Sequence, residues 1–141
     1  MTTLRLLLLP GFLQAALAFI LVSRIARGRI RAVREGRASP AKVAMDKSRW
    51  PVELHAVTNN YENQFELPVL YFAALALIAA TGLADGAMVA LSWLFVASRY
   101  VHSYIQTKSN HLLWRFMAFA TGVFTLMALW AWFAIRLFVT G

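Results

Sequence analysis

Long apolar runs separated by short polar ones set the character of this chain. Residues 6–22 are apolar except where Pro10 and Gln14 interrupt them, and residues 67–80 are apolar apart from the hydroxyl of Tyr71. Runs of this length exceed a strand and suit membrane-crossing helices, which need roughly 20 residues each. The pattern predicts four helices, at about 4–27, 52–81, 87–107 and 112–138. Between the first two lies a polar connection, residues 28–50, punctuated by Gly28, Gly36 and Pro40. Trp50-Pro51 reads as an interfacial anchor followed by a helix start. The later turns, Gly82-Leu83-Ala84-Asp85-Gly86 and Lys108-Ser109-Asn110-His111, are short. Four spans with short later turns predict an antiparallel all-α bundle, a single membrane domain over residues 1–141.

The first run has some features of a signal peptide, with Arg5 ahead of it and Ala16-Leu17-Ala18 resembling a cleavage site. The apolar stretch continues beyond that point and ends in Arg24, Arg27, Arg29 and Arg31, a stop-transfer pattern. An uncleaved first helix is therefore expected.

Composition supports this reading. Hydrophobic residues make up 60 % of the 141, and charged residues only 14 %, against about 25 % in soluble domains. A soluble chain of this size has too small a core for so much apolar surface. The net charge of +8 raises the question of nucleic acid, but its distribution answers it. Nine of the fourteen basic residues fall within residues 24–49, directly after an apolar run. The positive-inside rule places such a block in the cytoplasm, where anionic lipid headgroups are natural neighbours. We expect a multi-pass protein of a bacterial inner membrane, with no nucleic-acid partner. The sequence has no cysteine. Disulfides, thiolate metal sites and a cysteine nucleophile are excluded, so any thiol in the chemistry belongs to a substrate.

The polar residues converge in depth. The second helix enters from the cytoplasm, so Asn63 and Glu66 lie in its inner half; the third leaves towards it, so Arg99 and His102 do as well. Arg115 opens the fourth helix on the same side. They also converge in azimuth. His55, Asn59, Glu62, Asn63 and Glu66 recur at helical spacing, as do Arg99, His102, Ser103 and Gln106. A charge at the bilayer centre costs about 2.5–3.5 kcal/mol by insertion scales, so such residues face one another or a wet cavity. Glu66 with Arg99 is the first expected ion pair, and a buried pair that merely fixes helix register is the plainer reading of it. Pro68 cannot donate to the Gln64 carbonyl and is expected to kink the second helix. His102 alone would read as a core histidine, Arg136 as a residue snorkelling to the headgroups, and Trp130, Trp132 and Phe133 as an outer interfacial belt. Ala76 with Ala80 and Ala118 with Gly122 form small pairs that permit close helix contact, within the bundle or between copies. No metal site is expected, because His55, Glu62 and Glu66 make a poor ligand set.

At these residues the chain resembles the MAPEG family, the membrane-associated proteins of eicosanoid and glutathione metabolism. Asn63-Gln64-Phe65-Glu66-Leu67-Pro68 is similar to the family's helix-two Asn-x-x-Glu followed by proline. Arg99-Tyr100-Val101-His102, and then Arg115, are similar to its later motifs. The resemblance implies a homotrimer with sites between subunits, glutathione as cosubstrate, and a lipophilic second substrate arriving through the bilayer. It implies Arg115 as the group that activates the thiolate, with Asn59, Asn63, Glu66, Arg99, His102 and Gln106 around the cosubstrate. Three positions depart from the family pattern. Asn59 stands where many glutathione-using members carry arginine, Glu62 where a basic residue is frequent, and Gln106 where a tyrosine is common. The expected function is thus a glutathione-dependent transferase or peroxidase. A non-catalytic bundle that binds lipid or a membrane protein is the alternative. A channel would need a continuous polar path, which residues 67–80 deny.

Overall fold

The computed structural model describes residues 2–139, and every described element is helical. Six α-helices follow in order: α1 Thr3–Arg34, α2 Pro40–Met45, α3 Val52–Glu62, α4 Leu67–Thr81, α5 Gly86–Thr107 and α6 Leu112–Phe138. Short 3₁₀ turns cover Lys47–Arg49 and Asn63–Phe65. Among the described residues, three stretches are long and apolar enough to cross a membrane: α1, the α3–α4 unit from Val52 to Thr81, and α6. α5 falls short of that standard because it carries Ser92, Ser98, Arg99, His102, Ser103 and Gln106, all of which it buries. It packs chiefly against α6, and also against α1 and α3.

α1 runs further than its apolar pattern suggests. The expected end near residue 27 is overtaken by an unbroken helix to Arg34. Gly28 was read as punctuation, but it serves packing. A Cβ built there would collide with Leu54 Cδ2, so the missing side chain lets α3 approach. Arg29, Arg31, Ala32 and Arg34 are good helix formers, and Ile30 and Val33 oppose the helix only weakly. Beyond it, α2 folds back, so that Val43 and Ala38 bury against Ala32 with Trp50 alongside.

The second predicted helix is broken. α3 ends at Glu62, and Glu66 adopts φ −96°, ψ −99° before α4 begins at Leu67. Pro68 sits in the first turn of α4, where its missing N–H is harmless. A continuous helix would set its ring against the Gln64 carbonyl, so the chain breaks one turn earlier than the proline itself. The expected kink is thus a full interruption.

The main core gathers Leu7, Tyr71, Ile78, Met88, Phe95 and Leu129, from α1, α4, α5 and α6. Tyr71 stacks on Phe95 with centroids 4.6 Å apart, and its hydroxyl lies 2.7 Å from Ser92 Oγ. Ala118 and Gly122 are buried on α6, and a Cβ at Gly122 would come within 2.9 Å of Ser98 Oγ. This small pair therefore serves the α5–α6 contact within the chain. At the other end, Asp85 caps α5 through Met88 N at 2.9 Å and accepts from Trp132 Nε1 at 2.9 Å. Arg136 reaches the same carboxylate at 3.4 Å. It thus completes a clamp between the α4–α5 turn and α6.

Candidate functional site

The break between α3 and α4 exposes backbone groups that a continuous helix would consume. In such a helix the Asn63 carbonyl would accept from Leu67 N. Here it accepts from Arg99 Nη2 at 3.1 Å instead. Arg99 is fully buried, and its Nε and Nη1 have no hydrogen-bond partner among the described residues. Glu66 and Arg99 make no direct ion pair, although the carboxylate still acts on the guanidinium across a longer distance. The freed carbonyl takes the guanidinium, while Glu66 stays exposed at the start of α4.

Beside this break a cavity of about 520 Å³ opens between α3, the start of α4, α5 and α6. Of the residues singled out in the sequence, Asn59, Glu62, Asn63, Glu66, His102, Gln106 and Arg115 line it. Leu112, Phe116 and Phe119 form its apolar wall. Arg99 lies outside the lining, one layer behind Asn63. His55 and Ser103 also fall outside it; Ser103 faces α3 and accepts from Asn60.

Hydrogen bonds tie the polar wall together. Asn63 Nδ2 donates to Gln106 Oε1 at 3.3 Å, and His102 Nε2 lies 3.0 Å from the same oxygen. His102 Nδ1 lies 3.1 Å from the Arg115 carbonyl. The imidazole therefore bridges α5 to the first turn of α6 and fixes where Arg115 leaves the backbone. Arg115 Nη1 donates to Asn110 Oδ1 at 2.6 Å. Asn110 holds φ 49°, a left-handed conformation that asparagine tolerates better than most residues.

A second polar assembly went unnoticed in the sequence. Gln14 Nε2 donates to Gln64 Oε1 at 2.9 Å. Gln64 Nε2 donates to the Asn60 carbonyl at 2.8 Å and to its Oδ1 at 3.0 Å. Asn60 Nδ2 donates to Ser103 Oγ at 2.8 Å and Ser103 O at 3.0 Å. All four side chains are buried, and they join α1, α3 and α5. The one available signal was Gln14, a lone amide in an apolar run.

Chemically, the cavity offers one reachable guanidinium, two carboxylates, several amides and an aromatic wall. Such a lining can receive a polar molecule bearing both signs of charge, next to an apolar one. The fold and this lining define a helical integral membrane protein with a polar cleft at the interrupted helix. The chain belongs to the MAPEG family, whose model matches residues 7–135. No curated protein and no solved structure matches it.

Proposed function

We propose that this protein uses glutathione as cosubstrate and acts as a transferase or peroxidase on lipophilic molecules. The observation that carries the reading is the placement of Arg115 in one 520 Å³ cavity with Asn63, Glu66, His102 and Gln106, beside Phe116 and Phe119. Family membership supports it, since the family includes glutathione-dependent enzymes. On this reading Arg115 stabilises the thiolate, lowering a thiol pKa that is otherwise near 8.5. The thiolate then attacks an electrophilic carbon, forming C–S as the leaving group departs with the bonding pair. With a hydroperoxide, two thiols are oxidised to a disulfide while the O–O bond is reduced to alcohol and water. Asn63 and Glu66 receive the ammonium of the tripeptide, and the aromatic wall meets the lipophilic partner. Arg99 serves by holding the Asn63 carbonyl, hence the break.

The same reading makes residues 1–141 one domain with α5 as a fourth span, the first loop cytoplasmic, and three copies sharing their sites. A bacterial inner membrane is the corresponding location. Asn59 and Glu62 favour a second reading, a non-catalytic bundle, because they put an amide and a carboxylate where glutathione-using members carry basic side chains.

The test is conjugation of glutathione to chlorodinitrobenzene by the purified protein, with hydroperoxides as a parallel panel. Arg115→Ala is expected to lower turnover more than about tenfold, the scale of a lost transition-state contact. Unchanged turnover in the variant would remove Arg115 from the chemistry. Silence across both panels, with no glutathione binding, would favour the non-catalytic reading.

A further inference from the structure

Arg115 is held from the α5 side at both of its ends. Its backbone carbonyl lies 3.1 Å from His102 Nδ1, and its Nη1 donates to Asn110 Oδ1 at 2.6 Å. Asn110 is itself anchored to α5, because its backbone N–H donates to the Ile105 carbonyl at 2.7 Å. The chain passes from α5 to α6 through Asn110 at φ 49°, a left-handed region that asparagine enters more readily than most side chains. The turn thus closes one helix and sets an amide oxygen on the guanidinium that opens the next. Arg115 lines the cavity and Asn110 does not. The grip on the guanidinium therefore comes from outside the lining.

Two carboxylates stand nearby for the same task. Glu62 and Glu66 line the cavity with Arg115, yet among the described residues Arg115 forms no ion pair. An arginine side chain has many rotamers and samples such carboxylates unless it is held. The dipole of α6 adds to the need, since it repels a cation in the first turn. A carboxylate tether would hold the guanidinium and also neutralise it. An amide oxygen accepts the same hydrogen bond and leaves the full charge for an incoming anion. Nε and Nη2 make no hydrogen bond among the described residues, so both are left to that anion.

We infer that Asn110 is a positioning residue, a neutral tether that holds Arg115 off Glu62 and Glu66 and at full charge for the anionic sulfur of the cosubstrate. The inference deepens the glutathione reading and rests on it for the identity of the anion. The tether lies within one chain, so it persists where copies share the cavity.

The test uses three variants of the whole chain in detergent. Asn110→Gly removes the oxygen and keeps the left-handed turn, which glycine adopts freely. Asn110→Asp keeps the shape, the turn and the acceptor but sets a negative charge on the guanidinium. Ser109→Asp adds the same charge one residue away. Turnover of glutathione with chlorodinitrobenzene should fall about two- to fivefold in Asn110→Gly, the range of a weakly buried charged contact. The loss should appear in kcat, with KM changed little. In Asn110→Asp the acid limb of the pH–kcat profile should move about half a unit to higher pH. A neutralised guanidinium stabilises the thiolate less, so the thiol ionises later. Ser109→Asp should move the profile by less than half of that. Equal shifts in the two aspartate variants would show a diffuse field and overturn the tether. A native profile in Asn110→Asp would reduce Asn110 to a former of the turn and overturn it too.

A second readout is independent of glutathione. Phenylglyoxal modifies guanidinium groups, and peptide mapping gives its rate at Arg115. That rate should rise at least about twofold in Asn110→Gly, once Nη1 is released. An unchanged rate would overturn the tether even where turnover fell. A raised rate in a protein that turns over no glutathione would uphold the tether and sink the glutathione reading instead.

Discussion

One turn of α3 carries two asparagines with opposite fates. Asn60 is fully buried and spends both its amide and its carbonyl groups on Gln64 and Ser103, inside the contact of α1, α3 and α5. Asn59, one residue earlier and therefore 100° around the helix, is exposed and lines the cavity. The pattern repeats one turn later. Gln64 joins the closed network, while Asn63 turns its side chain to the cavity wall and its carbonyl to Arg99. In a membrane-embedded helix, polar residues are thus separable by what remains of their hydrogen-bonding capacity. Where partners within the chain consume it, the residue holds helices together. Where capacity is left facing a cavity, it is available to a ligand.

The largest effect that tests this division is on stability. Asn60→Leu strips Gln64 Nε2 of its Oδ1 partner and Ser103 Oγ of its donor, in a place water does not reach. Leaving buried groups unpaired costs about 1–3 kcal/mol, and thermal unfolding in detergent should show a loss of that order. Asn59→Leu should stay within about 0.5 kcal/mol of the native protein, as substitutions at exposed positions do. Equal losses from the two variants would erase the distinction between the faces.

How far this was legible in the sequence depends on the kind of signal. Helical spacing alone collects His55, Asn59, Glu62, Asn63 and Glu66 into one stripe, of which all but His55 line the cavity, and the MAPEG resemblance rests on Asn63, Glu66, Pro68, Arg99, His102 and Arg115. The closed network stayed hidden because residues 59–64 are nearly all polar. Hydrophobic contrast tells an inner face from an outer one, and an all-polar turn has none. Pro68 predicts a kink in a continuous helix, and the structure has instead an interruption at residues 63–66, because a proline disturbs the turn that precedes it. The pair of Glu66 with Arg99 failed for the same reason. Spacing says which side chains share a face, and says nothing of a backbone carbonyl that a broken helix releases. α1 was drawn too short because Gly28 reads the same whether it ends a helix or admits a neighbour such as Leu54.

A smaller effect would sharpen the open face. If the cavity receives glutathione, Glu62 sets a carboxylate where the ligand brings two of its own. Glu62→Arg should then tighten glutathione binding roughly two- to fivefold, the range of an exposed ion pair, and the gain should shrink as salt is added. Calorimetry or thermal shift with glutathione reads the change directly. Weaker binding in the variant would mean that Glu62 meets the ligand's ammonium, and would reverse the polarity assigned to that wall.

The smallest effect lies at the far end of the closed network. Gln14 donates to Gln64 Oε1, yet its own Oε1 is buried without a partner. Gln14→Met keeps the length of the side chain and removes both features together. It leaves Gln64 Oε1 unpaired, which destabilises, and it abolishes an acceptor that was already unsatisfied, which offsets part of that loss. Hydrogen bonds between membrane helices average about 0.6 kcal/mol even when fully formed. The expected loss is therefore below about 1 kcal/mol and smaller than that of Asn60→Leu, read by the same unfolding measurement. A loss as large as that of Asn60→Leu would mean that the network stands or falls as a unit. The contact of α1 with α3 would then depend on its outermost member, and partner counting within the chain would no longer predict which amide matters most.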